Sequence, residues 1–472
     1  MIHINTNISS MVAGRILNYQ DSNLNQSLQR LGTGLRINTG KDDPAGLIAS
    51  EALRTEKKAI GAATYNIARA NNIVSSAEGG LDEISKLLLE LEDLVDKSAN
   101  EAGLSDSERE ANQLQIDSVL DSINRIATST EFQGRKLLNG ELSYTTSAIN
   151  TANFDEVRIH SSRMADGAYR SAVVEVTASA QLATLLYTGS TTAAGTTTIQ
   201  ITGNLGTETL SFTSGTTVAN VATAINQSKD LTGVSATFSA GGLQFYSTEY
   251  GDDQFVTVKT FAGTFTVTGG DAGSDKDYGR DATVLINGTS AVTHGLNAKV
   301  QTSTLSVDMD LTATFGTTLG NSTFYITGGG ADFMISPTVS LNGLASLGIG
   351  AVSTANLGRG SIGYLSTLGS GQTNSVDSGN FSVAQRIIRE SQLQVSEMRG
   401  RLGAFQKDTL TPTSNSLAIT LENISAAESN IRETDFAEET SNLTRSQILV
   451  QSAMNVLKIA NAQPQSVLSL LQ

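Results

Sequence analysis

The first part of the chain repeats apolar residues at alternating steps of three and four, the spacing of one face of a helix. The longest run begins at Ile60 and reaches Val95 without missing a heptad position. A repeat held for this length is typical of a coiled-coil seam. Asp43 is a good N-cap and Pro44 suits the first helical position, so a long helix is predicted to begin there. A further helix is predicted to follow, with an apolar face of Ile116, Leu120, Ile123 and Ala127.

Apolar stripes also reach both ends of the chain. The N-terminal stripe has heptad spacing and carries Leu24, Leu28, Leu31 and Leu35. The C-terminal stripe is interrupted by Pro464 and carries Leu449, Ala453, Val456, Leu457, Ala460, Val467, Leu468, Leu470 and Leu471. Chain ends are usually poorly ordered unless they are tied down, so we predict that the two terminal helices pair with each other. The core of a monomeric helical bundle would have the same spacing, but it would not explain stripes at both ends.

Between about residues 141 and 375 the period falls to two, charges thin out, and Thr, Gly and Ser dominate. Segments such as TTTIQITG and ETLSFTSG alternate as half-buried strands do, with glycine turns between them. One short helix is predicted inside this region, with Thr217 as its N-cap. Helices return near Phe381, and Pro412 predicts a kink or a loop within them.

The predicted fold class is multidomain α plus β, with paired N- and C-terminal coiled-coil helices and a β-rich, Thr/Gly-rich central insertion. The predicted domains are a helix at each end, an inner helical domain in two parts, one or two outer domains, and a return linker. In chain order they are the N-terminal helix 1–42, the inner helical part with a β-hairpin 43–177, the β-rich outer region 178–340, the return linker 341–376, the second inner helical part 377–432, and the C-terminal helix 433–472.

Composition narrows the classes of function. The formal net charge is −15, whereas nucleic acids and anionic membrane surfaces bind basic faces, so neither is expected as a partner. The chain has no cysteine, which excludes disulfides, thiolate metal sites and cysteine nucleophiles. Its polar start lacks the apolar segment of a cleaved secretory signal, so export by the conventional route is not expected.

No segment predicts an enzyme, a cofactor site or a metal site. The stretch GTGLRINTGKD has the glycines of a phosphate loop, but its spacing is wrong and Asp42 stands where Ser or Thr would bind magnesium. We interpret this stretch as a hinge. The three histidines, His3, His160 and His294, are far apart in sequence and give no zinc-protease motif. No catalytic residues are therefore expected.

Several stretches resemble the signature sequences of bacterial flagellins. They include SLQRLGTGLRINTGKDDPAG and NNIVSSAEGGLDEI near the N-terminus, and SNIRETDFAEETSNLTRSQILVQSAMNVL and QPQSVLSLLQ near the C-terminus. The resemblance is collinear and covers about residues 1–140 and 377–472. It implies a flagellin-like fold and a structural subunit of the extracellular flagellar filament.

The resemblance also implies that the terminal helices line the filament core, so the apolar residues of both stripes would be polymerisation residues. Other copies of the chain would be its main partner. The flagellar type III export apparatus, an export chaperone, and the hook-associated and cap proteins would be further partners. Two alternatives remain open at this point, namely a hook–filament junction protein and an adhesin displayed by the central region.

The chain departs from the family at one recognition motif. Many flagellins are bound by Toll-like receptor 5 through an exposed helix face with the pattern L-Q-R-V-R-E-L. The collinear stretch here is LLELEDL, which keeps Leu88 and Leu94 but has Glu90 and Glu92 in place of both arginines. Because a carboxylate reverses the sign of every contact that an arginine would make, the resemblance implies weak binding to this receptor.

Overall fold

The computed structural model describes residues 6–100, 103–164, 167–189, 195–239 and 242–469. Long helices lie towards both ends of the chain. The α-helices are α1 Ile8–Thr33, α2 Pro44–Ser98, α3 Asp106–Ser129, α4 Val218–Gln227, α5 Lys229–Thr232, α6 Ala313–Gly316, α7 Phe381–Ala404, α8 Thr411–Arg432 and α9 Phe436–Ser469. No helix within the described residues is both long enough and apolar enough to span a membrane.

Strands fill the region between the long helices, which confirms the predicted β-rich insertion. In chain order they are β1 Glu131–Phe132, β2 Arg135–Lys136, β3 Tyr144–Ser147, β4 Phe154–Ser162, β5 Arg170–Ala178, β6 Thr184–Tyr187, β7 Thr197–Thr202, β8 Thr207–Phe212, β9 Val234–Ser239, β10 Gly242–Ser247, β11 Phe255–Ala262, β12 Lys276–Tyr278, β13 Thr283–Ile286, β14 Thr289–Ser290, β15 Val292–His294, β16 Asn297–Gln301, β17 Leu305–Leu311, β18 Gly320–Gly329, β19 Ala331–Met334, β20 Leu344–Leu347, β21 Gly358–Arg359 and β22 Gly363–Tyr364. The ladders that join neighbouring strands are antiparallel, so short turns can connect many of them.

The chain divides into two compact units. The first contains the residues up to Tyr65, Ser336–Thr338 and the chain from Pro412 onward, and the second contains Asn66–Ile335 and Val339–Thr411. In the first unit, α1 packs against α9, which confirms the predicted pairing of the terminal helices. Asp43 caps α2 as predicted, because its carboxylate accepts a hydrogen bond from the backbone N–H of Gly46 at 2.9 Å.

The second unit has a helical core built from α2, α3 and α7. Every position of the predicted run from Ile60 to Val95 is at most 4% exposed, so the heptad seam is confirmed. The predicted face of α3 is buried as well. That helix begins at a capping box in which Ser105 and Glu108 each accept a hydrogen bond from the other's backbone N–H.

The segment 341–376, predicted as a return linker, contributes side chains to this helical core. The buried members include Ile349, Val352, Leu357, Leu365, Leu368 and Val376. The buried amide of Gln113 on α3 fixes the segment in place: it donates to the carbonyl of Leu368 at 3.0 Å and accepts from the backbone N–H of Val376 at 2.9 Å. The segment is thus held by packing and by hydrogen bonds to α3.

The chain remains helical on both sides of Pro412, so of the predicted kink or loop the loop is absent, and the α-helix is instead interrupted directly before the proline. Residues Phe405–Leu410 form a π-helix, and the N–H of Thr411 donates to the carbonyl of Gln406. A π-turn holds an extra residue and shifts the hydrogen-bond register. The shift falls directly before the position that has no N–H, which explains how proline is accommodated within a continuous helical segment.

The second unit also contains two β-lobes, each with its own apolar core. The first β-lobe consists of the sheets β14-β13-β5-β18-β3 and β15-β16-β17-β4. Phe154 lies at its centre and meets Phe315 and Phe324 edge to face, with ring centroids 5.7 Å apart in both pairs.

The second β-lobe consists of the sheets β6-β10-β9 and β12-β11-β7-β8 together with α4. The predicted short helix is present, and its buried face carries Val218, Val221 and Ile225. Thr217 occupies the predicted N-cap position, although its side chain makes no capping hydrogen bond. Packing of the apolar face therefore determines this helix more than its cap does.

Candidate functional site

Small residues line the contact between the two terminal helices. Within the described side chains, the buried positions of α1 are Ala13 and Ser27. Those of α9 include Ser446, Ala453 and Ala460. Small side chains let two helix backbones approach closely, because the distance between helix axes depends on the side chains at the contact. The seam therefore uses the alanines of the predicted stripe on α9, and on α1 it uses alanine and serine instead of the predicted leucines.

Polar contacts set the register of this helix pair. At one end, the side-chain amide of Asn7 donates to the carbonyl of Ala460 at 2.7 Å, and the hydroxyl of Ser10 donates to the Oδ1 of Asn461 at 2.6 Å. At the other end, the guanidinium of Arg30 lies 3.5 Å from the carboxylate of Glu439, which is 8% exposed. Because these contacts lie at opposite ends, sliding one helix along the other would break both sets.

Large apolar side chains cover the outward faces of the same two helices. We call them the terminal apolar surface, and all are between 39% and 69% exposed: Ile8, Met11, Val12, Ile16, Tyr19, Leu28, Ile448, Leu449, Met454, Val456 and Ile459. Single exposed apolar residues are common on any protein, but a concentration of this kind marks an interaction surface. A groove lined by Ala13, Ile16, Leu449, Ala453 and Val456 runs within it.

The predicted polymerisation residues fall into three groups. Leu28, Leu449 and Val456 belong to the terminal apolar surface. Leu24, Leu31, Leu35 and Leu457 are half-buried. The predictions for Val467, Leu468 and Leu471 fall outside the side chains that the structure describes.

Sequence reasoning missed part of the terminal apolar surface, including Met11, Ile16, Tyr19, Ile448 and Ile459. These residues lie off the single stripe used for the prediction. A helix with apolar residues on several faces is expected to be buried on all of them. The apolar residues outside the stripe were visible in the sequence and could have indicated this.

A short antiparallel bridge follows α1 and connects it to the end of α8. The N–H of Arg36 donates to the carbonyl of Arg432 at 2.7 Å, and the N–H of Thr434 donates to the carbonyl of Gly34 at 3.0 Å. Gly34 has a φ of 72°, a left-handed conformation that suits glycine and ends α1. The predicted hinge is therefore a bridged segment.

In the part of this segment that resembles a phosphate loop, the carboxylate of Asp42 occupies the hydrogen-bond donors of the loop. The carboxylate of Asp42 accepts hydrogen bonds from the backbone N–H groups of Asn38, at 3.1 Å, and Thr39, at 2.9 Å, and from the Thr39 hydroxyl at 3.1 Å. The bond from the Thr39 N–H is the main reason why the pKa of Asp42 is lowered. The donors that a phosphate would need are thus already engaged.

The receptor motif lies on α2 with its two leucines turned inward. Leu88 is 0% exposed and Leu94 is 6% exposed, so both belong to the helical core. Glu90 is exposed. The carboxylate of Glu92 accepts hydrogen bonds from Gln392 at 3.0 Å and from Arg389 at 3.1 Å, and the bond from Gln392 is the main cause of its lowered pKa. A receptor could therefore reach the two acidic positions but not the two leucines.

Comparison with known proteins gives three matches to family models along the chain. Residues 4–143 match the bacterial flagellin N-terminal helical region, residues 386–471 match the bacterial flagellin C-terminal helical region, and residues 198–249 match the flagellin hook IN motif. Among curated proteins, flagellin E of Vibrio cholerae serotype O1 is 28% identical over 472 residues, which is 99% of each chain. Flagellin D of Vibrio anguillarum is 29% identical over 473 residues, which is 100% of this chain and 99% of that protein.

Proposed function

Because this chain belongs to the bacterial flagellins and is a structural subunit of the extracellular flagellar filament, we propose that it polymerises through its terminal apolar surface. The observation that carries the proposal is the distribution of side chains on α1 and α9. Small residues fill the seam between the helices, and large apolar residues remain on the outside. A second copy of the chain, with the same surface, is the partner that would cover them.

The energetics favour such an assembly. Burying a Val, Leu, Ile or Met side chain fully contributes about 1.5–3 kcal/mol. The terminal apolar surface offers several such side chains on each subunit, for example Ile8, Met11, Ile448 and Ile459. Their combined burial outweighs the roughly 4–15 kcal/mol lost in translational and rotational freedom on association. We include the half-buried residues Leu24, Leu31, Leu35 and Leu457 in the same interface, together with Val467, Leu468 and Leu471.

The remaining parts of the chain receive complementary roles in this proposal. The long helices of the second unit form an inner layer, and the two β-lobes form the outer surface of the filament. Their closed apolar cores support this role, because each lobe can fold without a neighbour. The chain acts without catalysis, and it meets the flagellar type III export apparatus, an export chaperone, and the hook-associated and cap proteins during secretion and assembly.

Val456→Asp tests the proposal directly. Val456 is 54% exposed in the subunit, so a carboxylate there leaves the folded chain intact, but it would be desolvated in the filament core. We expect no filaments when the purified variant is seeded with filament fragments and viewed by negative-stain microscopy. Val292→Asp is the matched control, because Val292 is 65% exposed on β15 of the first β-lobe and should assemble normally. Normal filaments from Val456→Asp would refute the proposed interface.

We also propose that the wild-type chain is a weak ligand for Toll-like receptor 5. Glu90→Arg is the sharper variant for testing this, since Glu90 is exposed whereas Glu92 is bonded to α7. Glu92→Arg would place a cation against Arg389 and disturb the helical core instead. Receptor signalling at equal monomer concentration should be low for the wild type and higher for Glu90→Arg. Strong signalling by the wild type would contradict the proposal.

A further inference from the structure

A polar cavity of about 260 Å³ lies in the second unit, between the first β-lobe and α7. Strand β4 supplies one wall with Glu156, Arg158 and His160, and α7 supplies another with Glu397 and Arg401. The remaining lining residues include Tyr144 of β3, Asp308 of β17, and Gly350, Ala351 and Asn356 from the segment after β20. Charged side chains of both signs thus converge on one small space.

The carboxylates of the cavity are already paired. Arg158 binds Glu156 through two hydrogen bonds of 2.6 Å each. The ammonium of Lys299 on β16 lies 3.0 Å from Glu397 and 3.5 Å from Asp308. Bidentate and shared ion pairs of this kind fix the geometry of the groups and leave their acceptor oxygens largely occupied.

Two nitrogen-bearing side chains of the cavity are not paired in this way. Among the residues that the structure describes, neither the guanidinium of Arg401 nor the imidazole of His160 makes a direct hydrogen bond or a close ion pair. The carboxylates of Glu397 and Asp308 act on Arg401 only at longer range, and burial outweighs them in lowering its pKa. Burial from water without a partner is costly for a polar group, and most costly for a charged one. The amide of Asn356, at an exposed position of the lining, is a further donor. A few convergent polar groups in a concave site are the usual mark of a ligand site.

We propose that this cavity binds a small oxyanion, such as phosphate, sulfate or a carboxylate, with the guanidinium of Arg401 and the imidazole of His160 as its donors. Arginine presents a planar fork of N–H groups that matches the oxygens of these anions. The amide of Asn356 would donate a third hydrogen bond from the exposed side. The bound anion would connect β4 to α7 and hold the first β-lobe against the helical core.

Binding should be coupled to the protonation of His160. Burial, and then the charges of Arg401, Arg158 and Lys299, hold the pKa of this imidazole well below its usual value. An anion beside the ring favours the charged form and raises this pKa, so binding takes up a proton. Affinity for a fully ionised anion should therefore increase as the pH falls. The other charged or titratable groups that face the ring are Tyr144, Glu156, Asp308 and Glu397.

Histidine-selective ¹³C labelling of the full-length monomer offers a direct test, because the chain has three histidines. His160→Gln assigns the signal of His160 by its disappearance. Sulfate is the best probe, since it remains fully ionised near neutral pH and any pH dependence then belongs to the protein. Sulfate should shift the His160 ring signal saturably and raise its titration midpoint, whereas chloride at equal ionic strength should do neither.

Two variants on α7 complete the test. Arg401→Gln should weaken sulfate binding about tenfold or more, because it removes a charge-assisted hydrogen bond. Arg389→Gln makes the same change on a more exposed arginine of α7 outside the cavity, and it should bind sulfate as the wild type does. The proposal is overturned if sulfate leaves the His160 signal unmoved, or if Arg401→Gln binds as tightly as the wild type. Filament assembly is read separately, so failure here leaves the polymerisation proposal intact.

Discussion

The β-lobes bury their large apolar side chains, whereas the terminal helices α1 and α9 expose theirs. Each β-lobe closes its own core, with Phe154 and Phe324 in the first and Phe245 in the second among the largest fully buried side chains of the described structure. The pair of α1 and α9 buries Ala13, Ala453 and Ala460 in its seam and exposes Met11, Ile448 and Ile459. One chain therefore contains regions whose large apolar side chains are buried within the subunit and a region whose large apolar side chains remain exposed.

This difference separates folding from assembly within a single polypeptide. The contact between α1 and α9 is lined by small residues and buries little apolar area. It therefore stabilises the helix pair only weakly, because the stabilisation grows with the apolar area removed from water. The same pair gains much more when other copies cover its outer faces. Polymerisation can thus be strongly favourable while the free subunit retains compact, independently stable β-lobes. Each experiment below changes one side of this contrast.

Removing residues 446–472 should have the largest effect. The deletion takes away most of α9, including Ala453 and Ala460 of the seam and Ile448 and Val456 of the terminal apolar surface. We expect complete loss of filament formation in seeded assembly, because neither the helix pair nor its outer surface can form. The β-lobes should still unfold cooperatively, as followed by tyrosine fluorescence. Long filaments from the truncated chain would show that assembly relies on another surface.

Hydrogen exchange should reveal the next largest contrast. In dilute monomer, the backbone amides of α1 and α9 should exchange at least about 100-fold faster than those of β5 and β18, because local opening follows the amount of buried apolar contact. In filaments the terminal amides should become the slower set. Monomer measured at the same chloride concentration as the filaments serves as the control, because it separates the effect of salt on exchange from the effect of assembly. Equal protection of the helix pair and the strands in monomer would show that the terminal helices are as stable as the β-lobes before assembly.

Much of the helical part could be predicted from the sequence because its signals are local. The heptad run from Ile60 to Val95 identifies a seam by spacing alone, and every member is buried. Asp43 and Pro44 mark a helix start whose hydrogen bond spans three residues. The pairing of α1 with α9 was predictable for a different reason, since apolar stripes at both chain ends require a partner.

The features that sequence reasoning missed depend on contacts between distant residues. Strand β5 pairs with β18, so Thr323 lies beside Val173, and no periodicity encodes such a match. The segment 341–376 looks like a linker in sequence, yet Gln113 and its apolar neighbours hold it in the helical core. The cavity around Arg401 joins five separate stretches of chain. Ala453 and Ala460 of the seam belong to the predicted C-terminal stripe, whereas Ala13 and Ser27 of α1 were missed because large leucines dominate a search for stripes.

Phe324→Ala should test the self-sufficiency of the first β-lobe. Phe324 is fully buried against Phe154, so its truncation should lower the free energy of unfolding of this lobe by about 3–5 kcal/mol. Denaturant unfolding of the monomer measures the change. Tyr325→Ala is the matched control on the same strand, and it should cost about 1 kcal/mol or less because Tyr325 is 36% exposed. Filament formation by Phe324→Ala should persist under conditions in which the lobe stays folded.

The smallest expected effect concerns Asp42, which gives the terminal region some local order of its own. Its carboxylate binds the N–H groups of Asn38 and Thr39. Asp42→Ala should speed exchange of the Thr39 amide about tenfold in monomer, equivalent to about 1.4 kcal/mol for a hydrogen bond to a charged acceptor. The matched control is Asp43→Ala, which removes the α2 cap next door and should leave the Thr39 amide unchanged.

The effect of Asp42→Ala should also depend on pH in a defined direction. The pKa of Asp42 lies below its usual value of 3.8, mainly because of the hydrogen bond from Thr39. A lowered pKa means that the ionised carboxylate stabilises the folded segment at higher pH, and that this stabilisation is lost as the pH falls through the lowered pKa. The ratio of Thr39 exchange rates in variant and wild type should therefore be about ten near pH 6 and approach one in strong acid. Taking the ratio cancels the pH dependence of the exchange chemistry. A ratio that stays constant down to strong acid would mean that the carboxylate charge does not hold this segment, and that the terminal region owes its order to the contacts of α1 with α9.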